Sequence, residues 1–205
     1  THSITVLATS ADGSSSSESF TINLSDFDEF NVGPITDVDA TTNSVTENAI
    51  NGTAVGITAS AMDADGTTNT VTYTLADSAA GRFAIDATSG VVTVADGSLL
   101  NFESISSHVI TVLATSADGS SSSQSFTINL GDFDEFNVGL ITDVNAAINN
   151  VAENAASGTV VGITASASDA DGTTNAITYT LIDSAGGRFA INSSSGIVTI
   201  ADGSL

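Results

Sequence analysis

Hydrophobic residues recur at every second position through much of this chain. In "TAVGITAS" they are Val55, Ile57 and Ala59, and in "NTVTYTL" they are Val71, Tyr73 and Leu75. "RFAI" supplies Phe83 and Ile85, "GVVTVA" Val92 and Val94, "HVITVLAT" Ile110, Val112 and Ala114, and "SFTINL" Phe126, Ile128 and Leu130. Alternation of this kind turns one face of an extended segment toward a core and the other toward water. With one further strand at 44–47, about seven short strands are predicted. The breaks between them carry turn chemistry: "NG" at 51–52, "DADG" at 63–66, "ATSG" at 87–90 and "ADGSSSS" at 117–123, whose serines read as a hairpin tip. No helical periodicity intervenes. Seven short strands in about a hundred residues predict an all-β fold, a Greek-key β-sandwich.

The pattern is written more than once. "HSITVLATSADGSSSSESFTINLSDFDEF" from His2 recurs as "HVITVLATSADGSSSSQSFTINLGDFDEF" from His108, a period of 108 − 2 = 106 residues. "VTENAINGTAVGITASAMDADGTTNTVTYTL" from Val45 returns as "VAENAASGTVVGITASASDADGTTNAITYTL" from Val151. The unit is domain-sized, far longer than a solenoid repeat. The sequence therefore divides into the C-terminal strands of one repeat (1–26), a complete repeat (27–131) and the first two thirds of another (132–205). These are tandem seven-stranded sandwiches, with two outer strands expected at 2–9 and 19–24 and five in the last segment. Strands donated by one molecule could complete the partial sandwich of the next; equally, the segment could belong to a longer covalent array.

Charge narrows the function. There are 24 acidic residues against two Arg and no Lys, a net charge of −22, which disfavours nucleic acid and anionic membrane surfaces as partners. No apolar run is long enough to insert in a bilayer. Such a charge opposes compaction unless cations neutralise it, and the acids are not evenly spread. "DFDEFNVG" stands at 26–33 and again at 132–139, each copy with three carboxylates in four residues directly after a strand. No Ser–His–Asp set, phosphate-cradling Gly loop or isolated carboxylate pair is present, so an enzyme is not expected. Asp37, Asp77, Asp86, Asp96, Asp143, Asp183 and Asp202 read as turn acids. Arg82 and Arg188, both in "GRF", are expected to pair with a nearby Asp; His2 and His108 read as cross-strand packing positions.

The order "ENAINGTAVG", "DADGTTN", "GRFAIDATSGVV", "LLNFES", "HVITVLATSADG", "FTINLGDFDEFN" resembles the cadherin-type extracellular repeat. The form it resembles is the bacterial one, found in tandem arrays of large surface and secreted proteins. The resemblance covers essentially the whole chain and implies a cadherin/Ig-like sandwich, an extracellular location and Ca2+ bound at the junctions between repeats. Calcium takes roughly six to eight oxygens, more than one short loop supplies, so a linker flanked by loops of both neighbours suits it. By this resemblance the first junction would use Asp26, Asp28, Glu29 and Asn31 of the linker, Asp63 and Asp65 of "DADG", Asn69 of "GTTN" and Asp118 of "ATSADG". The second would use Glu47 of "ENA", Asn101 and Glu103 of "NFE", the linker residues Asp132, Asp134, Glu135 and Asn137, and Asp169, Asp171 and Asn175. Glu153 is the "ENA" acid of the last repeat. Three departures from the family pattern stand out. "LNFE" has Asn101 where the family has a carboxylate. The linker carries two Phe residues and a displaced or missing Pro. The "ATSADG" loop runs longer than usual. The four linker residues Phe27, Phe30, Phe133 and Phe136 are expected to plug the ends of adjoining cores.

The resemblance thus implies a structural or adhesive spacer, a calcium-stiffened rod or filament whose partner is itself. The competing reading is a carbohydrate-binding module recognising surface or matrix glycans. It is weakened by the absence of Trp and by two Tyr in core-like strands.

Overall fold

A computed structural model describes residues 1–204. Among the described residues fourteen strands are formed: β1 (His2–Thr9), β2 (Ser15–Ile22), β3 (Thr36–Asp37), β4 (Ser44–Thr46), β5 (Ala54–Ser60), β6 (Val71–Asp77), β7 (Phe83–Ile85), β8 (Val91–Val94), β9 (Ser107–Ser116), β10 (Ser121–Gly131), β11 (Thr142–Asp143), β12 (Val160–Ser166), β13 (Phe189–Ile191) and β14 (Ile197–Ile200). The one helical element among the described residues is a 3₁₀ turn at Gly97–Leu99, capped by Asp96. The strands order as β1-β2, β3-β5-β8-β7, β4-β10-β9-β6 and β11-β12-β14-β13. The all-β prediction holds.

By contacts the chain gathers into two compact units. One comprises Thr1–Thr42, Ala54–Thr93 and Val109–Phe126; the other comprises Asn43–Thr53, Val94–His108 and the chain from Thr127 onward. In the first, β5 buries Val55, Ile57 and Ala59 on alternate positions, as the period-two pattern requires. Gly56 stands between them at φ +78, where a Cβ would lie 2.4 Å from the Thr42 carbonyl oxygen, so only Gly permits this irregularity in the β5–β8 pairing. β6 and β9 run antiparallel from Val71↔Ser116 to Leu75↔Val112, and Ile110, Val112 and Ala114 are fully enclosed. In the second unit, β4 pairs parallel with the end of β10, Ser44↔Asn129 to Thr46↔Gly131, and buries Val45 and Leu130. Val161, Val198 and Ile200 form a smaller core with Phe189 and Ile191.

All seven strands predicted in 27–131 form, as β4–β10, and β3, a two-residue pairing too short to show alternation, joins them as β11 does in the last segment. Two expectations are corrected. The serine runs are strand and not hairpin tip: Ser15, Ser16 and Ser17 pair with Thr9, Ala8 and Leu7. The tip is closed instead by Asp12, whose carboxylate accepts from the Ser14 amide at 3.0 Å and hydroxyl at 2.7 Å. Finally, five strands are not formed in the last segment. The counterparts of β4 and β6, residues 150–152 and 177–183, carry no strand, although "ITYTL" is nearly the "VTYTL" of β6. β6 is held by β9 and β4 by β10, and no such strand pairs with the last segment among the described residues.

Candidate metal centres

The residues brought together at the first linker all lie in the first unit. Carboxylate oxygens of Asp28, Asp65 and Asp118 converge within 4.8 Å of one another. The "DADG" loop is shaped by its own acids. Asp63 Oδ1 accepts the Asp65 amide at 3.1 Å, and the Asn69 side-chain amide closes the loop on the Asp65 carbonyl at 2.7 Å. Asp65 Oδ1 accepts the amides of Glu29 and Phe30, both at 3.2 Å, and so seats the linker on the loop. Asp26 accepts from the amide and hydroxyl of Thr67, at 2.9 and 2.6 Å. Asp118 accepts the Ser120 amide at 2.6 Å. In each case one carboxylate oxygen is used for shape. The other oxygens, Oδ2 of Asp63, Asp65 and Asp118, are buried without a hydrogen-bond partner among the described residues.

The second linker repeats this in the second unit and adds a second wall. Oxygens of Glu47, Glu103, Asp132 and Glu135 lie within 4.8 Å of one another. Glu47 is 2 % exposed, and its two oxygens accept from the Phe102 amide (2.7 Å) and the Phe133 amide (3.0 Å), tying the "NFE" turn and the linker to the end of β4. Glu103 accepts from the Gly172 amide at 3.0 Å. That approach needs Gly, since a Cβ at 172 would lie 2.5 Å from the Phe102 ring. The Thr173 hydroxyl donates to Asp132, and the Glu135 and Phe136 amides donate to Asp171 Oδ1, both at 3.2 Å. Asp169 accepts the Asp171 amide at 3.3 Å, and Asn175 reaches the Asp171 carbonyl at 2.9 Å. Asp132 Oδ1, Glu135 Oε2 and Asp171 Oδ2 are buried with no hydrogen-bond partner among the described residues.

Crowded carboxylates shift one another's protons. Desolvation, a hydrogen bond to Asp65 and the charges of Asp118, Asp65 and Asp63 raise the Asp28 carboxyl above its ordinary value. At the second linker Asp134 is raised by a shared hydrogen bond with Asp171 and that residue's charge, then by desolvation, Asp169 and Asp132. Glu135 is raised by desolvation and by Glu47 and Glu103. Asp132 is lowered, first by the Thr173 hydroxyl, and Asp63 first by that of Ser116. Buried carboxylate oxygens without donors, facing one another, are costly unless a cation joins them. An all-oxygen donor set suits a hard divalent ion.

Of the nineteen predicted residues, the two acidic groups contain Asp28, Glu47, Asp65, Glu103, Asp118, Asp132 and Glu135. Glu29, Asp63, Asn69, Asp134 and Asp171 interact directly with group members, and Asp26, Asp169 and Asn175 stand one step further out, through Thr67 and Asp171. Asn101 instead closes its own turn by accepting the Ser104 amide at 2.6 Å. Asn31, Asn137 and Glu153 are exposed, and Glu153 lies outside both acidic groups. The residues missed by sequence reasoning are Thr67, Thr173 and the amide-bearing Phe102, Phe133 and Gly172; the repeated "GTT" after "DADG" was the available signal. The expectation for the linker aromatics is overturned. Phe27, Phe30, Phe133 and Phe136 are exposed, Phe27 at 79 %. The turn acids hold their assigned roles, as in Asp86, which accepts from Thr88 and Ser89, and Asp37, which accepts from Asp39 and Thr58. Arg82 and Arg188 donate to the carbonyls of Ala79 and Ala185.

A fold of short-stranded sandwiches with acids gathered at the linkers defines a class, and comparison with known proteins agrees with it. Residues 41–130 match the Cadherin domain family. Cadherin-related family member 1a of Danio rerio is 34% identical over 167 residues, covering 76% of this chain and 19% of that protein. Cadherin-related family member 1 of Bos taurus is 28% identical over 149 residues, 68% of this chain and 17% of that protein. The chain thus spans less than a fifth of these relatives' length. Among solved structures, mouse cadherin-23 EC22-24 has a TM-score of 0.71 at 23% identity, over 97% of this chain and 62% of that one. The protocadherin gammaB7 EC3-6 cis-dimer structure has a TM-score of 0.71 at 22% identity, over 98% and 50%. The fold is that of cadherin extracellular repeats. Cadherin domains are extracellular, and so is this chain; no helix among the described residues is long and apolar enough to cross a membrane.

Proposed function

We propose that this chain is a calcium-stiffened extracellular repeat module, adhesive or structural, that forms a rod or filament. The single observation that carries the reading is the set of buried, donorless carboxylate oxygens at both linkers. Fifteen of the nineteen predicted residues would serve as ligands or hold ligands in place, in the roles described above. The ion supplies charge neutralisation and a fixed geometry. The chain's own residues do the rest: Asp65 and Asp171 seat the linker amides, and Glu47 ties β4, the "NFE" turn and the linker together. No reaction chemistry is assigned, and the module acts by binding and by stiffness. The motifs resemble the bacterial form of the repeat, found in large surface proteins, while the relatives reported above are animal proteins. The repeats themselves, or further copies of the chain, are the partners, a reading supported by the likeness to a protocadherin solved as a cis-dimer.

Calorimetric titration with calcium, and melting with and without a chelator, test the reading. Calcium at a hundredfold excess over Kd should raise Tm by roughly 5–10 °C. No heat of binding and an unchanged melt would overturn it. A glycan-binding role has one supporting observation, the exposed rings of Phe27 and Phe133, on which a sugar could stack. Selective signals on a glycan array that vanish in Phe27→Ala/Phe133→Ala would establish it.

A further inference from the structure

Within the second unit the "NFE" turn meets the "DADG" loop that follows the second linker. The turn is fixed from its own side. Buried Leu100 anchors its start, the Asn101 side chain accepts the Ser104 amide at 2.6 Å, and the Asn101 carbonyl accepts the Ile105 amide at 3.1 Å. Glu47 holds the Phe102 amide at 2.7 Å. The loop is fixed from the other side, where Asp169 accepts the Asp171 amide and Asn175 reaches the Asp171 carbonyl. Two contacts made by the chain's own atoms join these parts. The Gly172 amide donates to Glu103 Oε1 at 3.0 Å. The Phe102 ring lies so close on Gly172 that an added Cβ would stand 2.5 Å from its Cδ1 and 2.7 Å from its Cε1. Gly172 has no positive φ, so its backbone would accept a side chain, and it is the ring that forbids one.

We propose that Phe102 and Glu103 latch the "NFE" turn onto Gly172 whether or not calcium is bound, and that Phe102 and Gly172 are positioning residues for the second metal centre. The positioning role rests on the calcium reading; the latch stands without it. A carboxylate that accepts a backbone amide makes a charge-assisted bond and takes its direction from it. Glu103, a member of the acidic group, is therefore ordered in advance, and the side-chain entropy that ion binding would otherwise cost is already spent. Repulsion among Glu47, Glu103, Asp132 and Glu135 opposes the joint when no cation neutralises it. The contact of ring on backbone is dispersive and uncharged, so neither loss of the ion nor added salt removes it. The Phe of "LNFE" and the Gly of "DADG" thus act as a pair: the one supplies a flat surface and the other leaves room for it.

The test uses the 205-residue chain, with amide hydrogen exchange and NMR in chelator and calorimetry in calcium. In chelator the Gly172 amide should be protected, and a cross-peak should join the Phe102 ring to the Gly172 α-protons. Gly172→Ala should abolish both and weaken calcium binding at the second linker about tenfold, with the first linker unchanged. Phe102→Ala should also lose the protection. With the ring gone the added methyl has room, so Phe102→Ala/Gly172→Ala should bind calcium no more weakly than Phe102→Ala alone. Gly66→Ala makes the same change in the same loop sequence at the first linker, where the added Cβ meets nothing nearer than Asp26 Oδ1 at 3.3 Å, and it should leave Gly172 protected. A Gly172 amide that exchanges freely in chelator, single changes whose effects simply add, or loss of Gly172 protection in Gly66→Ala would each overturn the latch. Lost protection with undiminished calcium affinity in Gly172→Ala would overturn the positioning role. The two readings fail separately: a protected Gly172 with no heat of calcium binding overturns the calcium reading, and normal heat with an unprotected Gly172 in chelator overturns the latch.

Discussion

The same octapeptide, DFDEFNVG, sits in two settings, and the contrast between them shows how a linker addresses two neighbours. At the first linker the member of the acidic group is Asp28, with Asp65 and Asp118 of the residues that follow. At the second, the members are Asp132 and Glu135, the counterparts of Asp26 and Glu29, with Glu47 and Glu103 of the residues that precede. Asp134, the counterpart of Asp28, is tied there to Asp171 and Asp169. One acid therefore faces forward along the sequence and two face back. The linker is a ligand set with two addresses.

The sharpest way to break that comparison is Glu47→Gln, which removes a carboxylate from the second group and gives either the Phe102 or the Phe133 amide a poorer partner. Calcium binding at the second linker should be lost while the first, which contains no Glu47, is unaffected. Calorimetric stoichiometry reads this, and an equal loss at both linkers would deny that they are independent. Next comes Asp134→Asn. Its effect, about tenfold in affinity, belongs to the forward address. In amide NMR spectra it should disturb the calcium response of Phe136, bonded to Asp171, and leave that of Gly172, bonded to Glu103.

Acidity separates the acids further. Asp28, Asp134 and Glu135 have raised carboxyls, so folded linkers bind protons before an unfolded chain does. Without ions, stability should therefore rise as pH falls through those raised values, a gain complete below about pH 4. Asp63 and Asp132, lowered, act oppositely: their contribution is present above about pH 4 and is lost as pH falls through their own values. Because calcium takes only ionised ligands, its affinity should fall on acidification, and Glu135 and both forward acids should be the first to lose charge. Melting curves against pH with and without calcium should slope in opposite directions. The smallest effect is expected from Thr173→Val, which removes one hydroxyl donor from Asp132 and should weaken binding about fivefold.

Much of this architecture was legible from residue pattern alone. Alternation placed β5, β6 and β9 with their inward faces, and the 106-residue period put the acids of both linkers beside their loops. Two kinds of information were missing. Strand formation in 177–183 depends on a partner and not on its own residues, so an alternating "ITYTL" could not reveal that it stands without one. The direction of each linker side chain was equally hidden, since alternate residues of an extended segment face opposite ways and nothing local says which neighbour owns which face. The phenylalanines suggested a core by their size, and all four stand exposed.

The parallel pairing of β4 with the end of β10 has a mechanical meaning. Bonds such as Asn129 N–H to the Asn43 carbonyl and Glu47 N–H to the Gly131 carbonyl, both 3.0 Å, join a stretch near the start of the complete repeat to one at its end. A pull on the two termini drags these parallel segments past one another, so the bonds share the load and must fail together. An antiparallel hairpin pulled at its open end would give way bond by bond. Tension along the chain is thus carried by three residue pairs acting as a clasp, with Glu47 fastened at its edge.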